Sequence, residues 1–254
     1  MIRSATSADN AVIERLWSIC FTDDDEFLKL FFKRMYAPES ALVYEENGEI
    51  CAMLHIFTYD IALCGAPDVT AKYIYGVGCH PAFRGRGFAG ALLRHALDCA
   101  GHAAFCMMVP EDDGLREYYK RFGFTHMLSL KKTRAEASAL PCKLCTADAK
   151  TLNLIYEHAF GNYVHPRRTP HEWGTLIRDE HILASARAYA VMGQNCIKEV
   201  AAMDEQSYAE IIGAAGGGAA CVYVPGDGTP YASVCITQEG FQMPKAAYFN
   251  LLHD

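Results

Sequence analysis

Apolar residues recur through the first thirty-five positions at the spacing of helical faces. Val12 or Ile13, Leu16, Trp17 and Cys20 make one stripe, and Leu28, Phe31, Phe32 and Met35 a second. Thr22 followed by Asp25 predicts where the second helix starts. The acidic run Asp23-Asp24-Asp25-Glu26 falls at the same place. The helix dipole favours carboxylates there, so a capping role outweighs attraction of a polycationic ligand. The pattern then changes to strands. ALVYEEN and EICAMLHIF flank Asn47-Gly48, a two-residue hairpin signal. A further strand covers roughly 72–79, and beyond a glycine-rich connection Ala89, Leu93, Ala96, Leu97 and Ala100 share one helical face. Residues 103–109 are continuously apolar, as in a strand covered on both sides. A helix around 115–122 stops at Gly123, and 125–132 reads as another strand. This order predicts a mixed α/β layer fold.

KKTRAEASALPCKL has no clear period and is the expected linker. Past it, Leu152, Ile155, Tyr156 and Ala159 mark an amphipathic helix. Thr169, Pro170 and Glu172 form a capping box before Trp173, Leu176 and Ile177. The second half also echoes the first. AGHAAFCMMVP, starting at Ala100, aligns without gaps on AGGGAACVYVP, starting at Ala215, at an offset of 115 residues with six identities. Both segments follow a helical stretch and run into a turn. At that offset the glycine-rich connection falls on Glu199 to Asp204, which has no glycine, and Tyr119 falls on Val234. The expectation is a second copy that kept the scaffold and lost the site.

Composition narrows the function classes. The chain has 254 residues, 51% hydrophobic and 21% charged, as an ordinary globular protein of one or two domains does. No apolar run approaches the ~18 residues a membrane helix needs. The opening MIRSATSADN carries no apolar segment of the kind a secretory signal requires, so a cytoplasmic protein is expected. Eleven cysteines in a chain of this length read as small buried hydrophobes rather than a disulfide framework. Cys142 and Cys145 are the one close pair, and His165 and His171 lack the spacing to complete a zinc site, so no metal is expected. A net charge of −7 argues against nucleic acid and suits a cationic acceptor.

The chemistry concentrates between Tyr73 and Gly90, where a strand ends at Pro81 and a loop with three glycines opens a helix. Glycine lets the backbone bend and a ligand approach. The first N–H groups of the helix lack internal partners and stand at the positive end of the dipole, which favours a pyrophosphate. On glycine spacing alone, a tight strand-to-helix connection remains an alternative. Gly85-x-Gly87-x-x-Gly90 also fits a dinucleotide-binding turn, but no first strand near the N-terminus and no later ribose-binding acid is evident.

Arg84, Gly87 and Ala89 satisfy Arg-x-x-Gly-x-Ala, and some thirty residues later Tyr119-x-x-x-Gly-Phe follows. With helix and strand between them, these two motifs resemble those of the GCN5-related N-acetyltransferase (GNAT) superfamily. The resemblance covers roughly 1–135 and extends to tandem members with a degenerate second half. It implies a mixed, mostly antiparallel twisted sheet flanked by helices. Residues 1–135 would form the catalytic domain that binds acetyl-coenzyme A. Residues 142–254 would form a smaller GNAT-like domain that completes the acceptor site. It further implies that Val77, Gly78, Cys79, Arg84, Gly85, Arg86, Gly87, Phe88, Ala89 and Gly90 hold acetyl-coenzyme A as co-substrate. Pyrophosphate would sit on the loop amides, and the pantetheine arm would pair with the strand. Tyr119 would protonate the departing thiolate, a task suited to a phenol with a pKa near ~10. Its neighbour Tyr118 is taken for packing.

The chain departs from the family at Asp112, where many members carry an Asn that holds the pantetheine, so that contact is not carried over. No acid lies on the strand before the loop. The base candidates are His80, Glu111, a water chain from Tyr75, and the Asp254 carboxylates at the end of the apolar tail AYFNLLHD. Cys79 invites an acyl-cysteine reading, but no histidine is placed to serve it, and packing is the better account. The expected function is transfer of an acetyl group to a primary amine, in a small molecule or a peptide, through a ternary complex. The rival is an acyl-coenzyme A sensor without turnover. Neither a nucleic-acid nor a membrane partner is expected. The acceptor, the acyl-chain preference and the oligomeric state stay open, a homodimer being one arrangement the pattern allows.

Overall fold

The structure is a computed structural model that describes residues 1–135, 141–194, 196–216 and 221–251. In chain order the elements begin with β1 (Ile2–Ser4), α1 (Asn10–Cys20), α2 (Asp25–Arg34), β2 (Ala41–Glu46) and β3 (Glu49–Leu63). Then come β4 (Ala66–Cys79), α3 (Phe88–Asp98), β5 (Phe105–Met108), α4 (Asp113–Lys120) and β6 (His126–Arg134). The remainder is α5 (Ala149–Phe160), β7 (His165–Pro166), α6 (Pro170–Asp179), β8 (His181–Ala184) and β9 (Ala188–Met192), followed by β10 (Cys196–Ala202), α7 (Glu205–Ala214), β11 (Cys221–Pro225) and β12 (Thr229–Ile236). These elements form two units. One holds residues 1–59, 70–126 and 233–242, and the other holds the described residues among 60–69, 127–232 and 243–251.

In the first unit the strand order is β1-β2-β3-β4-β5-β12. Strands β1, β2 and β3 run antiparallel, and β12 pairs antiparallel with β5 from Ser233↔Met108 to Ile236↔Phe105. Strands β4 and β5 pair parallel, joined by the crossover helix α3. The expected fold class is the one observed. Asn47 (φ 54) and Gly48 (φ 82) turn the β2–β3 hairpin as their sequence predicts. Leu54 and Ile74 face a core under α3 with Leu92, Leu93 and Phe124. Met53, one residue along, faces the opposite core with Ile13, Trp17, Leu28 and Phe31 of α1 and α2. The alternation of a strand puts both helical layers on one sheet.

Three local expectations change. The cap of α2 is Asp24, whose carboxylate accepts from the Phe27 N–H at 2.8 Å, and not Thr22. Thr22 lies outside the first turn, beyond reach of its amides, while Asp23 accepts from Trp17 Nε1 at 2.8 Å. A strand does stand near the N-terminus, but β1 is an antiparallel edge, so it offers no start for a dinucleotide fold. Finally, 131–134 belongs to β6 and pairs with β11 rather than forming linker. The stretch 136–140 lies outside the described residues.

The second unit orders its strands β6-β11-β10-β9-β8. Here β10 pairs parallel with β11, and α7 joins them. Thus β10-α7-β11 matches β4-α3-β5, and the structure supports a repeat of the scaffold. The match is not gapless. Residues 80–87 link β4 to α3, whereas Met203 and Asp204 alone link β10 to α7. Glu199 to Ala202 therefore lie in strand, and the glycine-rich loop has no counterpart. Tyr119 on α4 has no counterpart in Val234 of β12 either. The core of this unit surrounds Arg168, which is paired with the fully buried Glu199 at 2.6 and 2.7 Å. Tyr189 and Tyr248 donate to that carboxylate at 2.7 and 3.0 Å, and Arg168 lies over the rings of Tyr156 and Trp173. Buried charges persist when so completely paired. Among the described residues no helix is long and apolar enough to cross a membrane.

In the first unit a buried imidazole is left without such pairing. His55 of β3 is enclosed by Trp17, Phe31 and Tyr36, and neither ring nitrogen has a hydrogen-bond partner among the described residues. Burial lowers its pKa from 6.5 to about 4, and the Tyr75 main chain offsets this only in part. The unfolded chain takes up a proton that the native state refuses. Stability is therefore whole above the unfolded pKa and falls as pH drops towards the folded one. At ~1.4 kcal/mol per pKa unit, the loss approaches roughly 3 kcal/mol. Urea unfolding across that window should show His55→Phe to be less acid-sensitive than the parent; parallel pH slopes for the two proteins would refute the assignment.

Candidate functional site

A cleft of about 560 Å³ opens within the first unit. Its walls are Cys20 and Phe21 at the end of α1, residues 77–79 of β4, the loop and first turn of α3, and Leu115, Tyr118, Tyr119 and Arg121 on and beside α4. The cleft begins where β4 leaves its partner. The β4–β5 ladder runs from Ala71↔Phe105 to Tyr73↔Met107, and the residues beyond lie off it. Gly76 follows with φ 57, and a Cβ there would stand 2.4 Å from Trp17 Cζ3. At Gly78 a Cβ would come within 3.2 Å of Cys20 Sγ and of Met53 Cε. Two glycines thus let the strand pass close beneath α1.

His80 Nδ1 accepts from the Ala82 N–H at 3.2 Å, and Pro81 opens a short 3-10 turn. Arg84 folds back, Nε donating to the Cys79 carbonyl at 3.2 Å. Gly85 (φ 80) and Gly87 (φ 83) are both left-handed, with nothing within 4 Å of a notional Cβ. They serve conformation and open approach. Gly87 is the N-cap of α3 and supplies no side-chain cap. The amides of Phe88, Ala89 and Gly90 are left without intrahelical acceptors beside the cleft, at the positive end of the dipole. Gly90 differs, since its Cβ would stand 3.0 Å from Phe122 Cζ; it allows α3 to pack closely.

Of the residues expected around a donor, Val77, Gly78, Cys79, Arg84, Gly85, Gly87, Phe88, Ala89 and Gly90 line the cleft. Arg86 is not among them. Its guanidinium pairs with Glu46 at 2.6 Å and stacks over Phe83 and Phe88, which turns it away. Asp112 caps α4, accepting from the Leu115 N–H at 2.7 Å.

Tyr119 is 7% exposed, and burial pushes its phenol up to about 12. The structure brings Tyr118 to the cleft as well, half-buried, its ring centroid 5.3 Å from that of Tyr119. The reading of Tyr118 as packing alone is therefore too narrow. None of the described base candidates, His80, Glu111 and Tyr75, lines the cleft, and Asp254 lies outside the described residues. Burial raises the Cys79 thiol, in keeping with packing. Sequence reasoning missed Cys20, Phe21, Phe83, Leu115 and Arg121 as wall residues; helical periodicity places Cys20 at the end of α1 but not against the loop.

The second unit shows what this helix end would look like when closed. Asp204 caps α7, accepting from the Ser207 N–H at 2.7 Å, and pairs with Arg187. Those contacts hold its carboxyl at about 2. A carboxylate already occupies the place an anion would take. Gly87→Asp should therefore weaken inorganic pyrophosphate binding, read by calorimetry, by ~10-fold or more through lost donors and like charge. Unchanged affinity would show that α3 does not hold the anion.

Comparison with known proteins gives the same outline. A family model described as an acetyltransferase (GNAT) domain matches residues 1–127. Among solved structures, a probable N-acyltransferase from Enterococcus faecalis is similar with a TM-score of 0.70 and 12% identity, over 94% of this chain and 72% of that one. A GCN5-related N-acetyltransferase from Kribbella flavida gives 0.67 and 15%, over 93% and 69%. A putative acetyltransferase from Pyrococcus horikoshii gives 0.65 and 16%, over 98% and 93%. At these identities the likeness is one of fold.

Proposed function

This chain belongs to the GNAT acetyltransferase family and is an acyltransferase, and from that premise we propose that it moves an acetyl group from acetyl-coenzyme A to a primary amine by direct attack. The observation that carries the reading is one cleft bordered by the uncapped start of α3, the end of β4 beyond its ladder with β5, and the Tyr119 phenol. The pyrophosphate suits the amides of the first turn of α3. The pantetheine arm suits the end of β4, where it would add as a strand in place of β5. An amide of residues 77–79 would polarise the thioester carbonyl. The neutral amine attacks that carbon, the C–S bond breaks, and Tyr119 gives its proton to the leaving sulfur; the attacking nitrogen releases a proton to water, and the phenolate regains one from solvent. A phenol raised to about 12 arrives protonated throughout the neutral range. The acceptor ammonium, with a pKa near ~10, reacts through its neutral fraction. The second unit, with Asp204 closing its helix start, contributes no donor site, so one acetyl-coenzyme A binds per chain.

Thiol release with acetyl-coenzyme A and a panel of amines tests this reading. Tyr119→Phe should lower kcat by ~10²–10³-fold with little change in acetyl-coenzyme A affinity, and Tyr118→Phe by less than ~10-fold. Binding without turnover on any amine would support a sensor instead. The pH profile offers a second check. Because the Tyr119 pKa lies near 12, the rate should rise with the neutral amine and show no descending limb near ~10. A descending limb that disappears in Tyr118→Phe would assign the acid to Tyr118.

A further inference from the structure

Two thiols that this chemistry does not use border the cleft. Cys20 ends α1 and Cys79 ends β4, both half-buried. The absent side chain of Gly78 lets Cys20 approach β4, since a Cβ there would stand 3.2 Å from Cys20 Sγ. Arg84 belongs to the same wall, turned back onto the Cys79 carbonyl. Burial raises both thiols, but their neighbours differ. Arg84 and the Cys79 main chain favour the thiolate of Cys20. Arg84 favours the Cys79 thiolate too, but against the like charge of Cys20 and Cys51, and the Cys79 Sγ turns to the His80 carbonyl at 3.7 Å. The Cys20 thiol thus stands over Gly78 in the cleft wall, while that of Cys79 is turned to a carbonyl.

We propose that Cys20 is a thiol–disulfide exchange site for a pantetheine thiol, at which the disulfide form of coenzyme A closes the donor cleft by a mixed disulfide. The inference rests on the reading of the cleft as the coenzyme A site. The step balances without a further oxidant. Cys20 Sγ, deprotonated, attacks one sulfur of the coenzyme A disulfide. A Cys20–coenzyme A S–S bond forms and the ligand's own S–S bond breaks. One coenzyme A departs as thiolate and takes up the proton that Cys20 lost. A small dithiol reverses the exchange.

The full chain, incubated with coenzyme A disulfide and mapped by peptide mass, decides the matter. Because the cleft would hold the disulfide beside it, Cys20 should be modified ~10-fold faster than the exposed Cys64, Cys99 and Cys145, and more quickly as pH rises. Acetyl-coenzyme A should slow the reaction at Cys20 and leave those three unaffected. After removal of excess disulfide, turnover should be down by ~10-fold and return with dithiothreitol, while Cys20→Ser keeps its own untreated rate. Adducts confined to the exposed cysteines, or an equal loss in Cys20→Ser, would overturn the proposal. Calorimetry of acetyl-coenzyme A on the untreated chain separates the two readings. Binding without a Cys20 adduct refutes the exchange site alone, and no binding refutes the reading of the cleft with it.

Discussion

The cleft depends on a steric exchange between Trp17 and Gly76. The indole fills the space that a side chain at position 76 would need, with Cζ3 only 2.4 Å from the notional Cβ. Trp17 is fully buried and packs on Phe21, Phe31, His55 and Tyr75, so it binds α1 to α2 and to both central strands. An aromatic of this size buries ~200 Å², enough to anchor the cluster around it. With α1 held this way, Cys20 and Phe21 become cleft wall. The strand beneath, freed from β5 after Tyr73, becomes the opposite edge.

The two parallel βαβ segments show what separates a binding site from a scaffold. Both present a helix N-terminus after a parallel strand. In the first unit residues 80–87 end in Gly87, which has no side chain to satisfy the helix amides. In the second, two residues suffice, and Asp204 satisfies them internally. The dipole and the free donors are general properties of helices. Whether they reach a ligand depends on whether the protein has already used them.

Buried polar groups divide along the same line. Arg168 and Glu199 are desolvated yet fully partnered, and their aromatic surroundings complete a structural network. Tyr119 is buried in a cleft wall, where desolvation keeps the phenol protonated. His55 lies among aromatic rings and does not line the cleft, and its burial weighs on stability. Burial raises or lowers each pKa by the same physics; position decides whether chemistry or folding feels it.

What the sequence determined by itself was local. The hairpin at Asn47-Gly48, the apolar face of α3, the glycines before it and the Tyr119 motif are set by residues a few positions apart, through backbone conformation and helix periodicity. They were enough to recognise the family. Tertiary structure alone decided what depends on distant neighbours. It paired Arg86 with Glu46, forty positions away, and brought Tyr118 to the same cleft as Tyr119. It drew Ser233 to Ile236 onto β5. It also placed Cys20 against β4. Strand register and side-chain packing arise from contacts across the fold, and no spacing along the chain encodes them.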